Sequence, residues 1–285
     1  MKLGVFAKTY ERPTLDEAFA SAAGDGFSCL QFNLACSGLD TLPRDAVPKH
    51  ITLEIQRAAR RHNLEIVAVS GTFNMAHPSA TVRADGVRGL KNLIAWAAAG
   101  KVPIITLCTG SRDAADMWRA HPENGSPGAW QDMLGTLTQA LGAAEAAGII
   151  LAVEPEPANV VSDASSARRL LDAVGSPSLK IILDPANLVN LDAPNGDREG
   201  LAGAIDLLVA DTILVHAKDR RADGSVCPAG EGIVEFLPFL GRLHRAGYNG
   251  PLVVHGISEN EVPIAVLHLR STLERLSSES SDAED

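Results

Sequence analysis

Cysteine is scarce in this chain of 285 residues. The four present, Cys29, Cys36, Cys108 and Cys227, lie far apart, with no C-x-x-C pair and no zinc-ribbon spacing. That excludes a disulfide scaffold and fits a reducing compartment. No apolar stretch approaches the ~20 residues of a membrane span. The opening "MKLGVFAKTYERP" has too short an apolar run for a secretory leader. A cytoplasmic protein without a membrane partner is therefore expected. Basic runs interleaved with aromatics are also missing, and the formal net charge is −10. An acidic chain repels a phosphate backbone, so nucleic acid is not an expected partner. No G-x-G-x-x-G follows the first apolar run, which weakens a dinucleotide-binding fold, and no linker divides the chain.

What is present is a repeated pattern. The chain is 46% hydrophobic and 21% charged, enough for a sizeable core. Short runs rich in Val, Ile and Leu recur: "LGVFA" (3–7), "CLQFNL" (29–34), "EIVAVSG" (65–71), "PIITLCTG" (103–110), "ILAVE" (150–154), "KIILD" (180–184), "TILVHAKD" (212–219) and "PLVVHG" (251–256). Runs without strict alternation read as parallel strands buried on both faces. Segments with helical spacing lie between them. "TLDEAFASAAGDG" opens with a Thr-x-x-Glu capping box at Thr14 and Glu17. Eight such β–α units at intervals of roughly 25–45 residues predict an α/β fold, a single-domain (β/α)8 TIM barrel. It is expected to span residues 1–276. The terminal "SSESSDAED" (277–285) is too polar to pack and reads as a disordered tail. A doubly wound open sheet is the alternative.

In a (β/α)8 barrel the reacting groups sit at the C-terminal ends of the strands. Strand five ends in Glu154, strand six in Asp184, strand seven in His216 and strand eight in His255. Two carboxylates and two imidazoles at one level form a mixed O/N shell suited to a divalent transition metal. Taken singly, each carboxylate is more often a helix cap or a salt-bridge partner, and each histidine a structural residue.

Five motifs carry a resemblance across almost the whole chain: "SGTFNMAHP" (70–78), "TLCTGSRD" (106–113), "VEPEPANVV" (153–161), "LDPANLV" (183–189) and "VHAKDR" (215–220), together with "GEG" (230–232). The chain resembles the sugar phosphate isomerase/epimerase family, within the xylose-isomerase-like TIM barrel superfamily. The resemblance implies one divalent metal ion (Mn, Zn, Co, Fe or Mg) held by Glu154, Asp184 and His216, with His255 where the epimerases have a second glutamate. It also places Asn187 where those enzymes have a substrate-touching histidine. In the ketose epimerases two metal-bound glutamates exchange the proton, and only Glu154 has a counterpart here.

Isomerising or epimerising a sugar requires a base beside the carbon next to a carbonyl, and a cation polarising the oxygen. Glu154 is the expected base. Glu156, two residues on in an extended segment stiffened by Pro155 and Pro157, shares its face and is a candidate second acid/base; a rim salt bridge is its other reading. His255 is the other candidate, since its charge can change near neutral pH. Glu259 and Glu261 look like charges at a helix N-terminus. Asn74, His77, Trp118, Asn187, Lys218 and Arg220 are the expected substrate contacts. For His77 the alternative is an exposed loop histidine, for Arg220 a solvated rim, and for Trp130 plain packing. Asp219 is a possible acceptor orienting His216, and the long segment after strand four a possible lid.

The expected function is a metal-dependent isomerase or epimerase acting on a small-molecule sugar, sugar derivative or polyol. A lyase or dehydratase with the same groups is the alternative. An endonuclease IV-like repair enzyme and a non-catalytic binding protein are further readings. A homo-oligomer is compatible with the sequence.

Overall fold

The computed structural model describes residues 1–191 and 198–281. Its centre is a closed barrel of eight strands: β1 (Lys2–Phe6), β2 (Cys29–Phe32), β3 (Glu65–Ser70), β4 (Ile104–Cys108), β5 (Ile150–Glu154), β6 (Leu179–Leu183), β7 (Thr212–Ala217) and β8 (Pro251–Val254). Every pairing is parallel, and β1 closes on β8 in register Lys2 to Pro251 through Val5 to Val254. Around it stand α1 (Leu15–Gly24), α2 (Lys49–Arg61), α3 (Ala80–Gly100), α4 (Pro127–Ala147), α5 (Ala164–Val174), α6 (Arg198–Leu208), α7 (Phe236–Arg245) and α8 (Val262–Ser281).

The side-chain period of two along a strand sorts each apolar run into two faces. Leu151, Val153, Ile181, Leu183, Val215 and Val254 belong to the large core shared with the helices. Cys29, Val67, Ala68, Ile104, Ala152, Ile182, Leu214 and Val253 form a separate buried cluster with no helical member, the filling of the barrel interior. β1 adds Gly4 at this level: a Cβ there would lie 2.5 Å from Cys29 Sγ and 2.8 Å from its carbonyl oxygen, so only glycine lets the strands approach. Stepping two residues on from Ala152, Ile182, Leu214 and Val253 gives Glu154, Asp184, His216 and His255. One periodicity thus fills the interior with apolar groups and crowns it with ionisable ones.

The capping box of α1 forms as read, with Glu17 N–H donating to Thr14 Oγ1 at 3.2 Å and Thr14 N–H to Glu17 Oε2. After β7 the chain makes a short antiparallel ladder, Asp219–Arg220 with Val226–Cys227. α8 continues to Ser281, into the segment expected as a polar tail; Ser277 Oγ donates to Leu273 O within it. Residues 282–285 lie outside the described residues. No helix among the described residues is long and apolar enough to cross a membrane.

Candidate active site

Glu154, Asp184 and His216 are buried at the C-terminal mouth, and one ligand atom of each lies within 4.8 Å of the others. His216 Nε2 is 2.8 Å from Gln31 Oε1, and Gln31 Nε2 in turn donates to Thr106 Oγ1 at 3.3 Å. The proton of His216 therefore sits on Nε2, leaving the Nδ1 lone pair directed to the centre, 3.2 Å from Glu154 Oε1. Burial keeps this ring neutral, its pKa pushed down to about 4. Asp184 Oδ1 caps the helical turn Pro185–Leu188 through Ala186 N–H at 2.9 Å. His216 Nδ1 is buried without a hydrogen bond, and Asp184 Oδ2 is buried with the Lys218 ammonium as its partner. Two carboxylates and a neutral imidazole whose inward nitrogen has no hydrogen bond are a donor set that fits one divalent ion.

Asn187, on that same helical turn, links the acids. Its amide nitrogen donates to Glu154 Oε1 at 2.9 Å and Glu156 Oε2 at 2.8 Å, while its Oδ1 accepts from Lys218 Nζ at 2.8 Å. The two glutamates therefore share a face, and Glu156 is turned inward rather than to the rim. Burial raises the Glu156 pKa, with the nearby Lys218 ammonium working against the shift. Lys218 Nζ also lies 2.7 Å from Asp184 Oδ2. Burial disfavours its charge, but Asp184 and Glu154 outweigh that and raise its pKa. Cys108, in register with Glu154, sits 3.8 Å from Glu154 Oε2, its thiol kept protonated by burial.

His255 lines the cavity beside the trio rather than joining it. Its ring is stacked between Phe6 (centroids 4.9 Å) and His216 (4.5 Å), outside the close trio. Burial, with His216 as neighbour, pushes its pKa down to about 3, so near neutral pH it is an uncharged stacking partner. Its Nδ1 is buried with no hydrogen bond.

Asn74 and His77 are occupied by the protein itself. Asn74 Oδ1 accepts from Ala76 and Ser111 N–H, and its Nδ2 donates to Asp113 O. His77 Nδ1 accepts from Ser79 N–H, and Nε2 lies 3.2 Å from Ala114 O. Both brace loops instead of facing the cavity. Asp219 does not reach His216. Its buried carboxylate accepts from the backbone N–H groups of Arg220, Gly230, Gly232 and Val234 at 2.8–3.0 Å and ties down the loop after the ladder. Arg220 stands on that ladder, with its charge near enough to Glu156 to favour the ionised carboxylate. Trp130 packs beneath the Arg169 guanidinium, 3.9 Å away.

The cavity above the trio measures ≈ 340 Å³, and Trp118, 53% exposed, forms part of its wall. Its sides offer neutral donors and acceptors, among them Gln31, Asn33, Thr72 and Thr106, beside the charged groups of Lys8, Glu156 and Lys218. Gln31, Cys108, Phe6 and Lys8, also on this wall, were not anticipated. Gln31 had left a signal, an amide in the middle of the apolar run "CLQFNL". The segment expected as a lid is pinned. Asn159 accepts Gly110 N–H at 2.6 Å and donates to Met117 O, and Asn124 accepts Arg112 N–H at 2.8 Å and donates to Ala158 O.

Residues 19–276 match the family model described as xylose isomerase-like TIM barrel. The chain belongs to this family. No curated protein sequence matches it. Among solved structures, a D-tagatose 3-epimerase-like protein superposes with TM-score 0.77 at 18% identity, covering 98% of this chain and 100% of its own. The 3-keto-D-glucoside 4-epimerase YcjR of E. coli gives TM-score 0.76 at 18% identity, covering 96% and 99%. A xylose isomerase-like TIM barrel protein from Mycobacterium smegmatis, crystallised with magnesium, gives 0.70 at 14%, covering 92% and 88%. At these identities the likeness is one of fold.

Proposed function

We propose that this chain is a metal-dependent isomerase or epimerase acting on a sugar, sugar derivative or polyol, by removal of a proton from carbon next to a carbonyl. The observation that carries the reading is the buried Glu154–Asp184–His216 trio, with His216 Nδ1 free of any hydrogen bond, opening into a cavity whose wall offers hydroxyl and amide groups beside Lys8, Lys218 and Glu156. A divalent ion (Mn, Zn, Co, Fe or Mg) held by these three residues would supply a Lewis acid that polarises the substrate carbonyl.

The chain's own groups divide the remaining work. Glu154, an acceptor held by the Asn187 amide, is the base. Glu156, on the same amide and with its pKa raised, is suited to hold the proton and return it. Two carboxylates whose surroundings differ are the arrangement that separates acid from base. Lys218 keeps the local charge balanced through Asp184 and Asn187. The hydroxyls and amides of the wall, with Trp118 at the rim, would hold the sugar. Glu156, its pKa raised by burial, is also placed to donate to a departing hydroxyl, which favours a dehydratase as second reading.

The test is deuterium incorporation into a panel of ketoses and aldoses in D₂O with Mn²⁺ present. Wild-type protein should exchange one C–H, and Glu154→Gln should lower the rate at least 100-fold. No exchange with any sugar, or full activity in the variant, sinks the proposal; loss of water without exchange moves it to the dehydratase.

A further inference from the structure

A second chamber of ≈ 500 Å³ adjoins the first. Its walls are the segment Asp40, Thr41, Leu42 and Arg44 on one side, and Asp85, Gly86, Arg88 and Gly89 of α3 on the other. Thr41 and Thr72 line both chambers and form the sill between them. Thr41 Oγ1 donates to Asn33 Oδ1 at 3.0 Å, and Thr72 Oγ1 to Thr106 O at 3.4 Å, so the sill is tied to the inner wall.

The chamber is built into the fold. Asn92 of α3 donates to Pro43 O at 3.0 Å and Arg44 O at 2.7 Å, fixing the opposite wall. A Cβ on Gly89 would lie 2.8 Å from Leu42 Cβ, so this glycine sets how closely the two walls approach. At ~30 Å³ per water, the inner cavity holds about eleven waters, a space that one hexose and a few waters fill, while the outer one holds about seventeen.

The wall chemistry narrows the occupant. Two arginines are matched by two aspartates, Arg44 3.9 Å from Asp40 and Arg88 paired with Asp85, so the chamber carries no net charge to hold a phosphate or carboxylate. No aromatic side chain lines it, so nothing there stacks on a nucleobase. Both ion pairs are exposed, and such pairs are worth only ~0–1 kcal/mol, so their donors and acceptors can be turned to a ligand at small cost. Charged donors, charged acceptors and two threonine hydroxyls together suit an uncharged polyhydroxylated group.

We infer that the substrate is a sugar extended by a second hydroxylated unit, a glycoside or disaccharide-like ketose, with the reacting sugar over Glu154 and its extension across the Thr41–Thr72 sill. This deepens the proposed function and rests on it for the placement of the reacting end.

Calorimetric titration with Mn²⁺ present would compare D-fructose with lactulose, turanose and isomaltulose, each the same ketose extended by a second hexose at a different oxygen. At least one disaccharide should bind tenfold or more tighter than D-fructose, and the double variant Asp85→Ala/Arg88→Ala should cut that ratio at least fivefold. Equal or weaker disaccharide binding, no binding by any of the four, or an unchanged ratio in the variant overturns the inference. Deuterium exchange on monosaccharides reports on Glu154 separately. A chain that exchanges D-fructose without preferring disaccharides keeps the proposed function and loses the second chamber. One that prefers disaccharides but exchanges nothing keeps the chamber and loses the chemistry.

Discussion

Gln31 has no charge and no part in proton transfer, yet it decides which nitrogen of His216 faces the carboxylates. Partners that orient a ligating histidine typically change metal affinity 10–100-fold when removed. Gln31→Leu should therefore weaken Mn²⁺ binding by at least tenfold in a competitive titration, with the fold intact by circular dichroism; unchanged affinity would mean that His216 is oriented by packing alone. The residue scale also shows where sequence reasoning stops. The trio and Glu156 follow from a period of two carried through three strands and the segment just past β5. His255 obeys the same period, but what its ring does depends on Phe6, some 250 residues away in sequence and adjacent only after closure.

At the scale of elements, the strands and the α1 capping box were legible because they rest on local patterns, apolar runs and a Thr-x-x-Glu. The loops were not. Asn74 and His77 lie in a motif that suggested substrate contact, and it took the neighbouring β4–α4 loop, arriving from elsewhere in the chain, to occupy their polar atoms. Asn159 belongs to the same network. Its amide accepts Gly110 N–H and donates to Met117 O. Asn159→Ala leaves buried backbone groups unpaired, at a cost of about 1–3 kcal/mol. Hydrogen exchange across residues 110–118 should speed up at least fivefold in this variant, while α4 and β5 keep their protection. Unchanged exchange would mean that the loop is held by its other contacts.

For the molecule as a whole, the three carboxylate and imidazole groups come from the ends of three strands, so the proposed ion site would exist only in the closed barrel. A ligand that binds only the folded state stabilises it by about 2.7 kcal/mol at a concentration 100 times its Kd. For a chain of this size that corresponds to a rise in melting temperature of roughly 5 °C or more. Addition of Mn²⁺ to the chelated protein should produce such a rise, and Asp184→Asn should abolish most of it. A flat melting temperature across Mn²⁺, Co²⁺ and Zn²⁺ would remove the metal centre. The barrel itself was readable from eight apolar runs because closure needs only their number and spacing; the second chamber was not, because its walls come from a loop and a helix that no pattern in the sequence pairs.

The stack of Phe6, His255 and His216 has a bearing on how the protein is made. Phe6 ends the first barrel strand to leave the ribosome, and His255 follows the last. Chains emerge N-terminus first, at about 5–20 residues per second. All three acids and imidazoles of the trio are therefore synthesised well before the ring that lies against His216. On a nascent chain the trio therefore exists for seconds without the seam that encloses it, and the buried centre is complete only once β8 has closed on β1.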